Sequence, residues 1–408
     1  MIGIRLLAAL AAVTLGAAAC GSDDGEEAAE PAAAPTTTAS TTTTAAPTTT
    51  PTTTTTTAPT TTTTAPTTTT TAQAISAAEP VATSGEWMAF NGGAECVCAD
   101  GSDYHYWVRE GDPAKVVFYL QGGGACFSRE NCAFTGEGNS YDPSTDITQV
   151  GDNPSEWRGL FDFDNPLNPV KDHSFVVALY CTGDVHLGDR VNNYGDGLIV
   201  HHKGFVNAST ALDAAVERFG DAAEVVVAGS SAGSASAALY GGLAADLFED
   251  ASVAVVADAS GAYPSDPGIN TYIGSLWGTM RVVPDWPVNE GVTPAEWGLP
   301  ELFVRAGLHA PRLRFARYDN AFDSTQEFFA VLAGFDASSI DQLMHQNEAL
   351  IEAAGVNQAS YMAPGTDHTI LWRDLLYTQE VEGVAFVDWL TAFLGGTDVD
   401  DVACVDCS

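Results

Sequence analysis

From about residue 79 onward the chain alternates two hydrophobic patterns. Short runs that are apolar on both faces, at 116–120, 175–180, 225–228, 253–257 and, interrupted by Arg314, 313–316, are each followed by a turn or a change of pattern. A central strand covered by helices on both sides needs such a run, because neither of its faces meets water. Between them, residues 208–219 carry Leu212, Ala215, Val216 and Phe219 at helical spacing, and 384–394 read the same way. Strand and helix in alternation predict an open α/β sheet. The entry differs, since 87–90 and 104–108 flank Asp100-Gly101 and predict an antiparallel pair. Residues 263–311, with Trp277, Trp286, Trp297 and several prolines, follow no regular period and are expected to form a lid or cap. The expected fold class is therefore α/β, with a mostly parallel central sheet, helices on both faces and an inserted cap region.

The N-terminal fifth of the chain is of another kind. Arg5, an apolar run from residue 6 to 15 and Gly16-Ala17-Ala18-Ala19-Cys20 have the layout of a cleaved export signal, too short to span a bilayer. Small residues before Cys20 and an acidic stretch after it resemble a bacterial lipoprotein cleavage box, with Cys20 as the lipidated residue and anchor to the membrane. From residue 31 to 72 the chain is almost only Thr, Pro and Ala, which cannot build a core and reads as a solvated tether. The expected organisation is a signal peptide at 1–20, a tether at 21–78 and one catalytic domain at 79–408. The expected location is the cell surface.

Charge narrows the partners. With 53 acids against 15 bases the net charge is -38, and the lysines are only Lys115, Lys171 and Lys203. Such a surface repels nucleic acid and other polyanions and stays soluble where salt screens it. Eight cysteines in an exported chain read as disulfides. With Cys20 lipidated, Cys96, Cys98, Cys126, Cys132, Cys181, Cys404 and Cys407 leave room for at most three bridges and one free thiol. Cys126 and Cys132 are close enough for a local loop, and Cys404 and Cys407 are expected to tie the C-terminus to the Cys96/Cys98 region.

The strongest chemical signal is an apolar run entering Gly229-Ser230-Ser231-Ala232-Gly233 and then a small-residue helix. That is the setting of a nucleophile elbow, a turn so tight that flanking glycines avoid Cβ clashes, and it makes Ser231 the candidate nucleophile. Upstream, Gln121-Gly122-Gly123-Gly124-Ala125 follows another buried run. Acyl transfer needs backbone N–H groups aimed at a developing oxyanion, and Gly123, Gly124 and Ala232 are the candidates. A serine needs a base, and the base an orienting acid, both following it in chain order in hydrolases of this class. Of the histidines beyond Ser231, His368 lies in a loop after the candidate strand 359–362. His345 lies in a charged helical stretch, and His309 in the cap. Asp319 and Asp323 both follow a candidate strand, and spacing does not choose between them. Metal chemistry at His201-His202 is disfavoured because adjacent residues point apart, so neither a metal nor another cofactor is expected.

Taken together, residues 120–126 (Leu-Gln-Gly-Gly-Gly-Ala-Cys), 126–132 (Cys-Phe-Ser-Arg-Glu-Asn-Cys), 180–184 (Tyr-Cys-Thr-Gly-Asp), 229–233 and 320–326 (Asn-Ala-Phe-Asp-Ser-Thr-Gln) resemble the pectin acetylesterase family of Notum-like carboxylesterases, in a bacterial form. The resemblance runs from about Cys98 to His368. It implies an α/β-hydrolase-like fold with a Ser-Asp-His triad and places the nucleophile on Ser231, the acid on Asp323 and the base on His368. Gln121 stands where a glutamate is usual, and Ala125 where plant members have tryptophan. The implied function is an exported serine carboxylic-ester hydrolase, an O-deacetylase or short-acyl esterase acting through an acyl-enzyme. The competing reading is a catalytically idle hydrolase fold serving as a surface binding protein or adhesin.

Overall fold

The computed structural model describes residues 85–136, 138–405 and 407. Cys20, the signal segment and the tether lie outside the described residues. Thirteen strands alternate with seven α-helices among the described residues. The strands are β1 (Trp87–Asn91), β2 (His105–Arg109), β3 (Asp112–Leu120), β4 (His173–Ala178), β5 (Arg190–Asn193), β6 (Ile199–His202), β7 (Glu224–Ser230), β8 (Ser252–Asp258), β9 (Arg314–Asn320), β10 (Gln358–Ala363), β11 (Glu380–Val381), β12 (Val384–Ala385) and β13 (Val402–Ala403). The helices are α1 (Gly204–Phe219), α2 (Ala232–Leu247), α3 (Pro267–Trp277), α4 (Leu299–His309), α5 (Ser324–Ala333), α6 (Ile340–Ala353) and α7 (Phe386–Leu394).

Nine strands form one sheet in the order β1-β2-β4-β3-β7-β8-β9-β10-β13. The first two pairings, β1 with β2 and β2 with β4, are antiparallel, and every later one is parallel. The runs that are apolar on both faces have become the buried centre: all six residues of β4 are buried, and so is all but the first of β7 and β8. Helix α1 turns Ala208, Ala211, Leu212, Ala215 and Phe219 inward, a spacing that lines one face of a helix. Helix α2 is buried almost all round, because its Ala, Gly and Ser side chains are small enough to let it lie directly on β7 and β8. Full burial of a side chain such as Phe118 or Tyr119 stabilises by roughly 2 kcal/mol.

Two expectations need correction. The Trp- and Pro-rich stretch 263–311 is not irregular throughout but contains α3 and α4. Asp266 caps α3 by accepting the N–H of Gly268 and Ile269, Pro267 occupies its first turn, and Gly278 ends it in the left-handed conformation. The cysteine pairing also differs, for the bridges are Cys98–Cys181, Cys126–Cys132 and Cys404–Cys407, with Cys96 buried and unpaired. Cys404 and Cys407 cannot reach the Cys96/Cys98 region because β13 lies at one edge of the sheet while Cys96 and Cys98 lead into β2 near the other. Cys98–Cys181, spanning 83 residues, closes the longest loop and is worth on the order of 4 kcal/mol in lost chain entropy.

Candidate active site

Because β3, β7, β8, β9 and β10 are parallel, their C-terminal ends share one edge of the sheet, the usual position for ligand chemistry in an open α/β fold. Each contributes there. Strand β3 runs into Gly122-Gly123-Gly124, β7 into Ser231, β9 into the turn bearing Asp323, and β10 into the loop bearing His368.

Ser231 has φ 54° and ψ -119°, a strained conformation for a residue with a side chain, and directly precedes α2. The turn is so tight that a methyl group on Gly229 would overlap the carbonyl of Gly233, and one on Gly233 the carbonyl of Leu120. Ala232 is the first residue of α2, so its N–H has no acceptor within the helix and lies at the positive end of the helix dipole.

Asp323 is fully buried and caps α5. Its Oδ1 accepts the N–H of Thr325 at 2.9 Å and of Gln326 at 3.0 Å, and its Oδ2 meets Nδ1 of His368 at 2.7 Å. The other ring nitrogen of His368, Nε2, is buried and makes no hydrogen bond among the described residues. His368 and Ser231 line one cavity together with Gly122, Gly123, Gly124, Trp157 and Trp372. A second cavity shares Ser231, Gly124 and Phe329 with the first and is walled by Ala232 and Ala235, by Ile273 and Trp277 of α3, and by Leu299 and Leu302 of α4. The cap helices thus build the apolar side of the site.

The glycine loop is held from behind. Tyr180 Oη donates to the carbonyl of Gly124 at 2.9 Å and accepts the N–H of Val185 at 2.9 Å. His186 Nε2 lies 2.9 Å from the carbonyl of Gln121, and burial pulls this imidazole down to about 4, so it is neutral near pH 7 and can donate that hydrogen bond. Gln121 uses both ends of its amide, donating to the carbonyl of Gly151 and to Asp152 Oδ1 while accepting the N–H of Tyr180. A glutamate here would set a second carboxylate against Asp152, whose own carboxyl is already pushed up by burial.

The family model described as Pectinacetylesterase matches residues 85–271, from β1 through the elbow into α3. Over those residues the chain resembles the pectin acetylesterase family. No curated protein sequence matches it. Among solved structures, the Wnt deacylase Notum from Drosophila is similar at 14% identity with a TM-score of 0.57, covering 80% of this chain and 97% of the other, a likeness of fold. The family match is to an esterase, and the solved structure shares the fold.

The other sequence candidates of this pectin acetylesterase relative are engaged elsewhere. Asp319 accepts the N–H of Gly261 and an amide N–H of Gln326, and Arg317 lies 3.8 Å away. Gln326 also donates to Asp323 at 3.1 Å, so one amide joins the two acids. His309 pairs with Asp246 and stacks on Trp286, and His345 pairs with Glu348. Both nitrogens of His202 are occupied, by the carbonyl of Thr182 and by Tyr194 Oη. Sequence reasoning missed Tyr180, His186, Trp157, Trp372 and Asp258. Asp258 had one signal, a lone acid ending an apolar run at the ligand-bearing edge of the sheet.

Proposed function

We propose that this protein is an exported serine carboxylic-ester hydrolase, with Ser231 as nucleophile, His368 as base and Asp323 as the acid that orients it. The observation that carries the reading is the Asp323–His368 pair, 2.7 Å apart, opening on the same cavity as a strained serine at a helix N-terminus. Asp323 on Nδ1 leaves Nε2 as the site that takes the hydroxyl proton while Oγ of Ser231 bonds to the ester carbonyl carbon. The carbonyl oxygen becomes an oxyanion facing the N–H groups of Gly123, Gly124 and Ala232. Collapse expels the alcohol, which takes the proton back from His368, and water then releases the acid by the same steps reversed.

The cavity walled by α3 and α4 suits the acyl group, and its apolar wall extends well beyond what an acetyl group would touch. The cavity bearing Trp157 and Trp372 suits the alcohol. Three disulfides fit an oxidising, extracytoplasmic setting, and Cys20 remains the proposed point of lipid attachment, with 79–408 as the catalytic domain.

A fluorophosphonate probe applied to the full chain tests this reading. Covalent labelling of Ser231, lost together with ester hydrolysis in Ser231→Ala, is expected. A folded wild-type protein that neither takes the probe nor cleaves any ester would leave the idle surface-binding reading in its place.

A further inference from the structure

Asp258 ends β8 with no solvent exposure, and none of the steps above uses it. Its Oδ2 accepts the hydroxyl of Ser230 at 2.6 Å and the N–H of Leu371 at 3.0 Å, and the N–H of Ile370 lies 3.0 Å from both oxygens. Its main-chain carbonyl accepts the N–H of Ser231 at 2.8 Å. Behind Ser230 stands Tyr119, with Oη 2.7 Å from the serine oxygen. One residue therefore grips the nucleophile's own backbone on one side and the loop that follows the base on the other.

Both gripped segments are strained. Ser231 has φ 54° and Thr369, next to His368, has φ 66°, a conformation that a β-branched residue rarely adopts. Such strain persists only where the surroundings over-determine it. We infer that Asp258 is a positioning residue which sets Ser231 and His368 against each other, and that it does so as a carboxylate. The inference rests on the reading of those two residues as nucleophile and base.

The need for a carboxylate follows from the donor count. An ionised carboxylate only accepts, and here two N–H groups and a hydroxyl converge on it. A proton on either oxygen would oppose one of those donors and loosen the link. Burial pushes the Asp258 carboxyl up to about 6, against the opposing effects of the Ser230, Leu371 and Ile370 hydrogen bonds and of the His368 charge. Tyr119 of β3 and Tyr318 of β9 also face it, both held as neutral phenols by burial. The link is thus lost in mildly acid solution, where Asp258 takes up a proton.

The experiment is the acid limb of kcat/KM in wild type, Asp258→Asn and Asp258→Ala, after fluorophosphonate labelling has established Ser231. Failure to label overturns the proposed function and this inference with it. With labelling established, kcat/KM of the wild type is expected to fall more steeply with acid around pH 6 than that of Asp258→Asn, which has no proton to gain. Asp258→Asn keeps an acceptor oxygen and is expected to lose kcat about 10-fold with KM nearly unchanged. Asp258→Ala, leaving its donors unpaired, is expected to lose about 100-fold, the scale of a misplacement of about 1 Å. Acid limbs of equal steepness in wild type and Asp258→Asn, or an Asp258→Asn protein with unaltered kcat, overturn the inference even where Asp258→Ala does not fold.

Discussion

Oδ2 of Asp323 lies 2.7 Å from Nδ1 of His368, although the other oxygen of the same carboxylate is engaged in capping α5. The cap holds the side chain in one rotamer, so the imidazole of His368 meets a carboxylate that has no freedom to turn away. Asn caps a helix as well as Asp does, so Asp323→Asn should fold with a melting temperature close to wild type. It should nevertheless lose about 10⁴ in kcat, because an amide does not hold the imidazole in the tautomer that frees Nε2. Asp319→Asn should behave in the opposite way. Asp319 accepts Gly261 and Gln326 on Oδ1, which an amide keeps, but its Oδ2 faces the buried Arg317 at 3.8 Å, so an amide nitrogen there should lower the melting temperature while kcat falls by less than about 10-fold. The check is kcat and thermal melting of both variants, and equal activity in the two removes Asp323 from its role.

The glycine loop offers a second measurement. Tyr180→Phe keeps the ring against Gly123 but removes the hydroxyl that joins Gly124 to Val185. If the loop supplies oxyanion donors, the loss falls on the transition state: kcat should drop about 10-fold with KM little changed. A boronate inhibitor, which imitates the tetrahedral intermediate, should weaken by a similar factor. A rise in KM alone would mean that the loop binds substrate without stabilising the oxyanion.

The pattern of the sequence carried the centre of the fold because parallel strands buried on both faces leave nothing but apolar residues in view. The elbow was legible for a related reason, since few other structures require Gly-Ser-Ser-Ala-Gly at the end of such a strand. The choice of Asp323 over Asp319 was not, because Asp319 lies at the end of β9 and Asp323 just beyond it, and only the folded chain shows which of them meets His368. It took the family resemblance to prefer Asp323. Asp258 and His186 escaped notice because their partners are mainly backbone groups, at Ile370 and Leu371 and at Gln121, and a sequence does not display which backbone comes near. The cap helix α3 was missed despite Asp266-Pro267 and Gly278, ordinary start and stop signals overshadowed by the surrounding prolines and tryptophans.

The cap also makes a prediction about chain length. Each methylene moved from water into the cavity between α3 and α4 is worth about 0.8 kcal/mol, or roughly 4-fold in kcat/KM. For p-nitrophenyl esters, kcat/KM should therefore climb from acetyl to about hexanoyl. Ala333→Trp, at the α5 wall of the same cavity, should remove that climb and leave acetyl esters within about 2-fold of wild type. A flat series in the wild type would restore the narrower expectation of an acetyl-specific enzyme.

The last prediction concerns the alcohol, where the family description and the charge of this chain pull apart. De-esterified pectin is a polyanion, and a chain of net charge -38 repels it over about 30 Å at 0.01 M salt and over about 10 Å at 0.1 M. Relief would require a basic groove at the site. The walls of the cavity assigned to the alcohol are Trp157, Trp372, glycines and small polar residues around His368, with no lysine or arginine among them. Of the basic residues elsewhere, Arg129 pairs with Asp196 at 3.0 Å, Lys203 with Asp189 at 2.6 Å, and Arg190 donates to the carbonyl of Ser275. Acetyl groups on a neutral glycan should therefore be removed with a kcat/KM at least about 10-fold above that for acetylated polygalacturonate at 0.01 M salt, and the gap should narrow at about 0.5 M as screening sets in. Measuring both substrates at both salt concentrations separates charge from fit, because a difference of fit alone does not change with salt. A preference for the polyanion at low salt would show that a basic path reaches Ser231 and that the pectin reading holds for this protein.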